Sequence, residues 1–273
     1  MVNEREKVVL ARVFDCPNCG GKVEVRSGLH SVTAVCTHCD SVIDQTDERL
    51  AILQRSAKAS GHHNFCIPLG RKGKLFGEKW QVIGHLGRTE TNDRFHWREY
   101  LLFNPWRGFR WLVEFDGKWS FMEPLRLAVR GPRDHVEALS VRYKCTERYK
   151  AEVDYVQGEF YWRVQTGDRS RVADYESNGN TTLSFESADN EIHWTRGRNV
   201  TRDRVAERFN VQVWDMPDEA GSGGDWDSNG SSGDDSDFTL GTAIVWAIII
   251  VFFIIIVMDE SGGGGGGYYY SGK

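Results

Sequence analysis

The stretch 109-FRWLVEFDGKWSFME-123 indicates how the middle of this 273-residue chain folds. Aromatic residues occur in both halves, and Asp116-Gly117 stands between them. An Asp-Gly pair readily adopts the left-handed backbone of a two-residue turn, so the stretch predicts a β-hairpin. Similar runs continue on both sides, and Gly158 and Gly167 are predicted to mark further turns. We therefore predict a mainly β protein, with an antiparallel β-rich domain over residues 61–215.

Two segments have the features of short helices. Residues 46–58 begin with a capping threonine and two acidic residues, and three apolar residues follow on one side. Residues 201–209 begin in a similar way. Both segments are predicted to be short helices that pack on the β-rich body.

An internal repeat would divide this body into two related β-units. When YLLFNPWRGFRW is aligned with LSFESADNEIHW, Trp111 matches Trp194 and the apolar residues stay roughly in step. The alignment predicts that each tryptophan ends the second strand of a hairpin.

Four of the six cysteines form two CxxC pairs near the N-terminus, Cys16 with Cys19 and Cys36 with Cys39. This spacing is typical of a zinc ribbon, in which each CxxC turn supplies two thiolates to one tetrahedral ion. A disulfide framework is the alternative, but residues 1–25 contain no apolar core of a secretory signal. Because four cysteines leave no coordination position for water, the predicted Zn²⁺ is structural. The ribbon and the helix after it occupy residues 1–60.

The remaining cysteines give weaker signals. Cys66 could form a second metal site with His62 and His63, but these residues have no partner cluster in the sequence. Cys145 is predicted to be a buried free thiol.

Residues 238–258 contain no charged residue and are rich in Ile and Val. A helix of this length is about 30 Å long, the thickness of a bilayer core, which predicts a C-terminal transmembrane helix. Lys273 is the one basic residue near either end, so the positive-inside rule gives no orientation. Thiols kept as metal ligands favour a reducing compartment, which places residues 1–237 in the cytoplasm and the Gly/Tyr-rich tail, residues 259–273, outside.

Residues 216–237 have the composition of an extended linker. From residue 218 onward this segment contains seven acidic residues, no basic residue and many Gly and Ser. The chain has a net charge of −5, and without the linker and the tail residues 1–217 carry about +3. Such a nearly neutral region predicts no nucleic-acid binding, although Arg12, Lys22 and Arg26 would favour it at the ribbon.

Catalytic motifs are missing from the sequence. It contains no G-x-S-x-G elbow and no phosphate-binding loop of the G-x-x-x-x-G-K-[ST] type. Glu99 and Glu159 each stand beside aromatic residues, where a desolvated carboxylate could act as a general acid. No base or nucleophile can be paired with either residue, so a structural role is favoured and no enzyme is predicted.

A family resemblance rests on the run REYLLFNPWRGFRWLVEFDGKWSF together with GEFYW and LSFESADNEIHW. These residues resemble the bacterial family called domain of unknown function 4178, over roughly residues 64–210. Members similarly carry a zinc ribbon in front or a membrane segment behind. The family brings no established activity, substrate or catalytic residue. The resemblance implies a bacterial protein, and with the anchor it places the chain in the inner membrane.

The predicted function is therefore a membrane-anchored interaction module at the cytoplasmic face of the inner membrane, which binds a protein partner or a small ligand without turnover. An enzyme that uses Glu99 or Glu159 in an aromatic-lined cleft is the first alternative. Nucleic-acid binding by the zinc ribbon is the second.

Overall fold

A computed structural model describes residues 11–55, 63–91, 95–126, 129, 131, 133–177, 181–188 and 191–218. Within these ranges the chain is mainly β, as predicted. Its strands are β1 Arg12–Asp15, β2 Lys22–Val25, β3 Thr33–Val35, β4 Val42–Asp44, β5 Ile52–Gln54, β6 Lys72–Leu75, β7 Glu78–Glu90, β8 His96–Asn104, β9 Gly108–Phe115, β10 Lys118–Pro124, β11 His135–Ala138, β12 Val141–Phe160, β13 Arg169–Glu176, β14 Thr181–Ala188 and β15 Glu191–Val200. One α-helix, α1 Arg202–Phe209, and 3₁₀ turns at Gly28–His30 and Val213–Asp215 complete the described structure.

Eight strands close into an antiparallel barrel. Strands β7, β8, β9 and β10 form one meander, and β12, β13, β14 and β15 form a second. Pairing of β10 with β15 and of β7 with β12 joins the two meanders on both sides. A barrel of eight strands has an interior that side chains can just fill, and closure leaves no free sheet edge.

The two meanders agree with a body made of two β-units, but the proposed alignment does not follow them. Trp111 lies on β9, the third strand of the first meander, whereas Trp194 lies on β15, the fourth strand of the second. Trp111 is completely buried in the main core, and Trp194 is only partly buried and packs beside a separate cluster. The structure therefore does not support that alignment.

Of the three glycines predicted to lie in turns, two do so and one lies inside a strand. Asp116 and Gly117 have φ angles of 52° and 76°, so they form the predicted hairpin turn between β9 and β10. Gly167, with φ 95°, lies between β12 and β13, also as predicted. Gly158 is not a turn residue: it lies inside β12 opposite Gly84, and a Cβ there would stand 2.3 Å from the Ile83 carbonyl oxygen.

The barrel interior has an apolar part and a polar part. Alternate residues of β8 and β9, including Trp97, Leu101, Phe103 and Trp111, point into one buried cluster. Elsewhere in the barrel Arg88, Glu99, Asp174 and Glu186 are buried together with hydroxyl side chains. Three tryptophans, Trp97, Trp111 and Trp162, are fully buried in the apolar part.

The helix α1 covers an outer face of the barrel, as predicted for residues 201–209. Thr201 caps it by accepting a hydrogen bond from the Arg204 amide, and Asn210 ends it in a left-handed conformation. Val205 and Phe209 are fully buried against residues of β7–β10, so the barrel has a second apolar core on this outer face.

The helix predicted for residues 46–58 is wrong over its described part, residues 46–55. The Asp44 carboxylate accepts hydrogen bonds from the Thr46 amide and hydroxyl, at 2.9 and 2.6 Å, and this local bonding favours a turn over a helix. Leu50 then has φ 55°, and Ile52–Gln54 forms β5 beside β4. Residues 56–58 lie outside the described ranges.

The C-terminal predictions also lie outside these ranges. They concern the rest of the linker from residue 219, the transmembrane helix at 238–258 and the tail at 259–273. No helix among the described residues has the length and apolar character needed to cross a membrane.

Candidate functional site

The two CxxC segments form turns with the same backbone. The Gly20 amide donates to the Cys16 carbonyl oxygen at 2.8 Å, and the Asp40 amide donates to the Cys36 carbonyl oxygen at 2.9 Å. Gly20 and Asp40 both have left-handed φ angles, 74° and 55°. Each turn is therefore preorganised to present its two sulfur atoms on one side.

The turns bring together the four cysteines that the sequence singled out. Cys16 Sγ lies 3.7 Å from Cys39 Sγ, and Cys19 Sγ lies 3.7 Å from Cys36 Sγ. All four sulfur atoms lie within 4.8 Å of one another. Four thiolates bonded to a tetrahedral ion at about 2.3 Å would stand about 3.8 Å apart. The cluster is thus compatible with one metal ion, and all six cysteines are free thiols rather than disulfides.

Hydrogen bonds reach three of the four sulfur atoms. The Gly21 and His38 amides each point at a cysteine sulfur, at 3.4 Å from Cys19 and Cys36. A hydrogen bond with the Ser41 hydroxyl lowers the pKa of Cys39 to about 6, whereas burial raises the pKa of Cys36 to about 12. A bound cation would supply the positive charge that a buried Cys36 thiolate needs.

Glu159 joins the ribbon to the barrel. Its strand, β12, pairs with β3 of the ribbon. The Glu159 carboxylate accepts hydrogen bonds from the Arg26 amide at 2.6 Å, the Ser27 amide at 3.0 Å, the Ser27 hydroxyl at 2.7 Å and the Ser31 hydroxyl at 2.8 Å. These four bonds occupy the carboxylate that the enzyme hypothesis would use, and they give it a structural role.

Glu99 lies inside the barrel rather than in an open cleft. Its Oε1 atom accepts a hydrogen bond from the Trp97 indole at 2.7 Å and lies 3.6 Å from the Arg88 guanidinium. Burial raises the pKa of Glu99 to about 7. Arg88 is closer to Glu186, at 2.6 Å, and also donates to Ser170. Glu99 is therefore part of a buried charged network.

The three basic residues offered for nucleic-acid binding at the ribbon interact with neighbouring side chains. Lys22 pairs with Asp15 at 2.5 Å, and Arg26 pairs with Glu24 at 3.1 Å. The Arg12 guanidinium lies 5.7 Å from the centre of the Phe14 ring. Two of the three positive charges thus face a carboxylate within the ribbon itself.

A groove of about 720 Å³ lies on the outer face of the second meander. Phe185 and Trp194 are directly opposite each other on β14 and β15, and their ring centres are 5.2 Å apart. Tyr175 on β13 lies 5.5 Å from Trp194 and continues the aromatic floor. Val136 of β11 contributes an apolar wall. Surveys place small-ligand sites at about 300–1,000 Å³, so the groove is large enough to bind a ligand or an extended side chain.

Basic residues line the rim of this groove: Arg133, Arg148, Lys150 and Arg171. Lys150 on β12 is directly opposite Arg171 on β13. Like charges in this position destabilise a sheet, and across the described ranges neither residue has a carboxylate partner. Arg148 has one at 3.4 Å, in the exposed Asp134. The rim therefore carries two cations, Lys150 and Arg171, that have no carboxylate partner among the described residues, and they lie beside an aromatic floor. The buried Glu90 is the one acidic residue among the described residues that line the groove.

Sequence reasoning missed this groove. One signal in the sequence could have indicated the basic rim. Arg148 and Lys150 are two residues apart on one strand, and Arg169 and Arg171 are two residues apart on the next, so each pair shares one face of its strand. Alternation shows that these residues share the outer face of a strand. The strand pairing that places Lys150 beside Arg171 cannot be read from it.

One stretch of the chain matches a known family. This stretch contains the groove, Glu99 and Glu159. Residues 68–202 match the family described as Domain of unknown function (DUF4178). The DUF4178 match supports the resemblance seen in the sequence, and it spans β6–β15. The four-cysteine cluster and the C-terminal residues lie outside the DUF4178 match. No curated protein and no solved structure matches the chain.

Proposed function

We propose that this protein is a membrane-tethered interaction module that binds an acidic segment of a partner protein in the groove of its barrel. The observation that carries the proposal is the pair of uncompensated cations, Lys150 and Arg171, beside the aromatic floor. An acidic side chain of a partner would relieve the repulsion between them. An apolar neighbour in the same segment would pack on Phe185 and Trp194.

The shape of the groove favours a peptide segment over a compact small molecule. Ile192, two residues before Trp194 on β15, is 61% exposed and extends the apolar surface beyond the groove. Aromatic and Arg side chains are enriched at protein interfaces, and aromatic side chains bury large areas there at a low cost in side-chain entropy. A small aromatic anion is the alternative occupant.

The rest of the chain supports this function in two ways. The four cysteines bind Zn²⁺ as structural thiolate ligands and hold the ribbon against β12. Residues 238–258 anchor the protein in a bacterial inner membrane, with the barrel on the cytoplasmic side, so the partner is itself at that membrane. Fractionation of the full chain and of a chain that ends at residue 237 tests the anchor: only the full chain should sediment with membranes after a high-salt wash.

Binding of labelled peptides tests the groove. A peptide with Asp and Glu beside one Trp should bind the full chain in detergent more tightly than its Lys-containing counterpart, and the affinity should fall as salt rises. Reversing both rim charges, with Lys150→Glu and Arg171→Glu, should weaken binding about tenfold, since each rim charge contributes about 0.5–1 kcal/mol.

The matched control reverses two exposed lysines away from the groove, with Lys72→Glu and Lys74→Glu on β6. This variant has the same net charge as the rim variant and should keep the wild-type affinity. Equal weakening in both variants would show that the peptide responds only to overall charge, and the proposal would then be wrong. A small aromatic anion that binds more tightly than any peptide would identify the other occupant.

A further inference from the structure

Three side chains from separate segments meet on the outside of the barrel, and none of them belongs to the cysteine cluster or lines the groove. They are His63 ahead of β6, His96 at the start of β8, and Asp154 in β12. One ligand atom of each lies within 4.8 Å of the others. His63 Nε2 is 2.6 Å from Asp154 Oδ1, and His96 Nδ1 is 3.7 Å from Asp154 Oδ2.

Two backbone features bring these side chains together. The pairing of β12 with β7 shifts between Val153 and Tyr155, so Asp154 is the extra residue of a β-bulge. A bulge redirects a side chain that regular pairing would point elsewhere. Opposite the bulge is Gly87, where a Cβ atom would stand 2.4 Å from the His63 ring. A glycine at this position lets the His63 ring lie directly over β7.

The nitrogen of His63 that faces the other two side chains is Nε2. The His63 side chain is completely buried, so its ring is held in place with Nε2 directed at the Asp154 carboxylate. His96 and Asp154 are partly exposed, at 27% and 16% of their side-chain surface, so one side of the cluster is open to solvent.

We propose that His63, His96 and Asp154 form a second metal site, which binds a divalent transition-metal ion such as Zn²⁺. Two imidazole nitrogens and one carboxylate oxygen are a donor set that such ions prefer, whereas Mg²⁺ and Ca²⁺ prefer oxygen ligands alone. Three protein ligands with one side open to solvent leave a coordination position for water or a ligand. This inference does not depend on the groove or on its partner.

Metal binding requires a small rearrangement of the histidine–aspartate pair. Ligand atoms about 2.0–2.1 Å from one tetrahedral ion stand about 3.3 Å apart, which is longer than the 2.6 Å between His63 and Asp154. That short contact is a hydrogen bond. The ion would take the place of its proton, and the two side chains would separate by less than about 1 Å.

Cobalt titration of a full chain that holds one Zn²⁺ ion, at the cysteine cluster, separates the two sites. Co²⁺ at the His63 site should give visible bands without the thiolate charge-transfer absorption that a four-cysteine site produces. Elemental analysis of protein saturated with Zn²⁺ should give two ions per chain. The His63→Gln, His96→Gln double variant should retain one ion, with the affinity of the second site reduced by at least about 100-fold, since even residues that only orient a ligand affect affinity by 10–100-fold.

Two further variants keep this test decisive. Asp154→Asn removes a ligand without changing either histidine and should also lose the second ion. His193→Gln alters a histidine that pairs with Glu191 at 3.3 Å elsewhere on the barrel, and it should retain both ions. Retention of the cysteine-bound ion and of the thermal transition shows that each variant is folded. A wild-type chain that binds a single ion, or ligand variants that bind as many as the wild type, would overturn the proposal.

Discussion

The ribbon and the barrel belong to connected β-structure, yet they bury very different amounts of apolar surface. The ribbon's own core consists of six buried residues, and two of them are the cysteines Cys16 and Cys36. The barrel core is several times larger and is rich in aromatic residues such as Trp97 and Trp111. A segment the size of the ribbon cannot offset the loss of chain entropy by burial alone. The comparison indicates that packing stabilises the barrel, whereas the ribbon would need the metal ion that we propose for its four cysteines.

The two regions nevertheless share an interface. Val35 of β3 and Val42 of β4 pack into the barrel cluster rather than into the ribbon core. The Thr33 hydroxyl donates to the Trp162 carbonyl oxygen at 2.7 Å, and Arg163 pairs with the buried Asp44 at 2.6 Å. These contacts make β3–β5 the part of the ribbon that packs on the barrel, and Glu159 holds the Arg26–Ser31 loop that precedes β3. Strands β1 and β2 form a separate two-stranded sheet, so we expect this part of the ribbon to depend most on the proposed metal ion.

Removing one of the cysteines should have the largest effect, and this effect should fall on the ribbon and not on the barrel. In the Cys36→Ser variant we expect the loss of one metal ion per chain and protease cleavage within residues 11–31. Metal binding contributes about 10–16 kcal/mol in zinc-finger peptides and cannot be replaced by so small a core. The barrel should keep a cooperative thermal transition, at a somewhat lower temperature because the ribbon interface is weakened.

The control for this variant is Cys145→Ser. Cys145 is a free, partly buried thiol outside the cluster, and its replacement should leave metal content and protease resistance unchanged. If Cys36→Ser abolished the barrel transition as well, the metal would be part of the barrel's own stability. The boundary predicted near residue 60 would then be wrong.

Removing the Glu159 carboxylate should weaken the interface without removing the metal. Glu159→Ala leaves four hydrogen-bond donors without their acceptor in a buried site. Because one hydrogen bond to a charged group contributes about 1.5–3 kcal/mol, we expect the free energy of unfolding to fall by about 3 kcal/mol. Hydrogen exchange should show the loss first in β3 and the Arg26–Ser31 loop.

Glu152→Ala provides the comparison on the same strand. Its carboxylate pairs with the exposed Arg169 at 2.7 Å, and a surface pair of this kind contributes less than about 1 kcal/mol. Metal content should be unchanged in both variants. Similar losses of stability from Glu159→Ala and Glu152→Ala would show that the buried carboxylate does not hold the ribbon to the barrel.

Local patterns predicted the parts of this structure that depend on neighbouring residues. The CxxC turns, the hairpin at Asp116-Gly117 and the helix capped by Thr201 each rest on a few consecutive residues, and the structure shows all three. The helix expected after the ribbon was wrong because Asp44, two residues before its start, binds the Thr46 amide.

Features that depend on strand pairing could not be predicted in this way. His63, His96 and Asp154 are far apart in sequence, and only the β12 bulge and the closure of the barrel bring them together. The sequence singled out His63, but with His62 and Cys66 as its partners. Cys66 instead lies 3.4 Å from the Tyr100 hydroxyl, and His62 is outside the described ranges. The Glu159 clamp likewise needed the pairing of β12 with β3.

The pH dependence of the free energy of unfolding tests the role of the buried charges in the barrel, without any change to the ribbon. The pKa of Glu99 is about 7 in the folded protein, above its ordinary value of 4.5, so the folded state holds the proton more tightly than the unfolded state does. The contribution of Glu99 to stability is therefore fully present below pH 4.5 and is lost as the pH rises towards 7. Glu99→Gln removes this titration. We expect the variant to gain about 1–3 kcal/mol relative to the wild type between pH 4.5 and 8.

The position of Arg88 decides whether this prediction holds. Its guanidinium lies 2.6 Å from Glu186 but 3.6 Å from Glu99, so its electrostatic interaction with Glu186 is the stronger one. Glu99 Oε2, moreover, is buried without a hydrogen-bond partner in the described structure, an environment that favours the protonated form. Urea unfolding of both proteins at several pH values measures the difference, and unchanged metal content would confirm that the ribbon is unaffected. Parallel stability curves would mean that Arg88 keeps Glu99 ionised, and the interior of the barrel would then be held by a three-membered ion network.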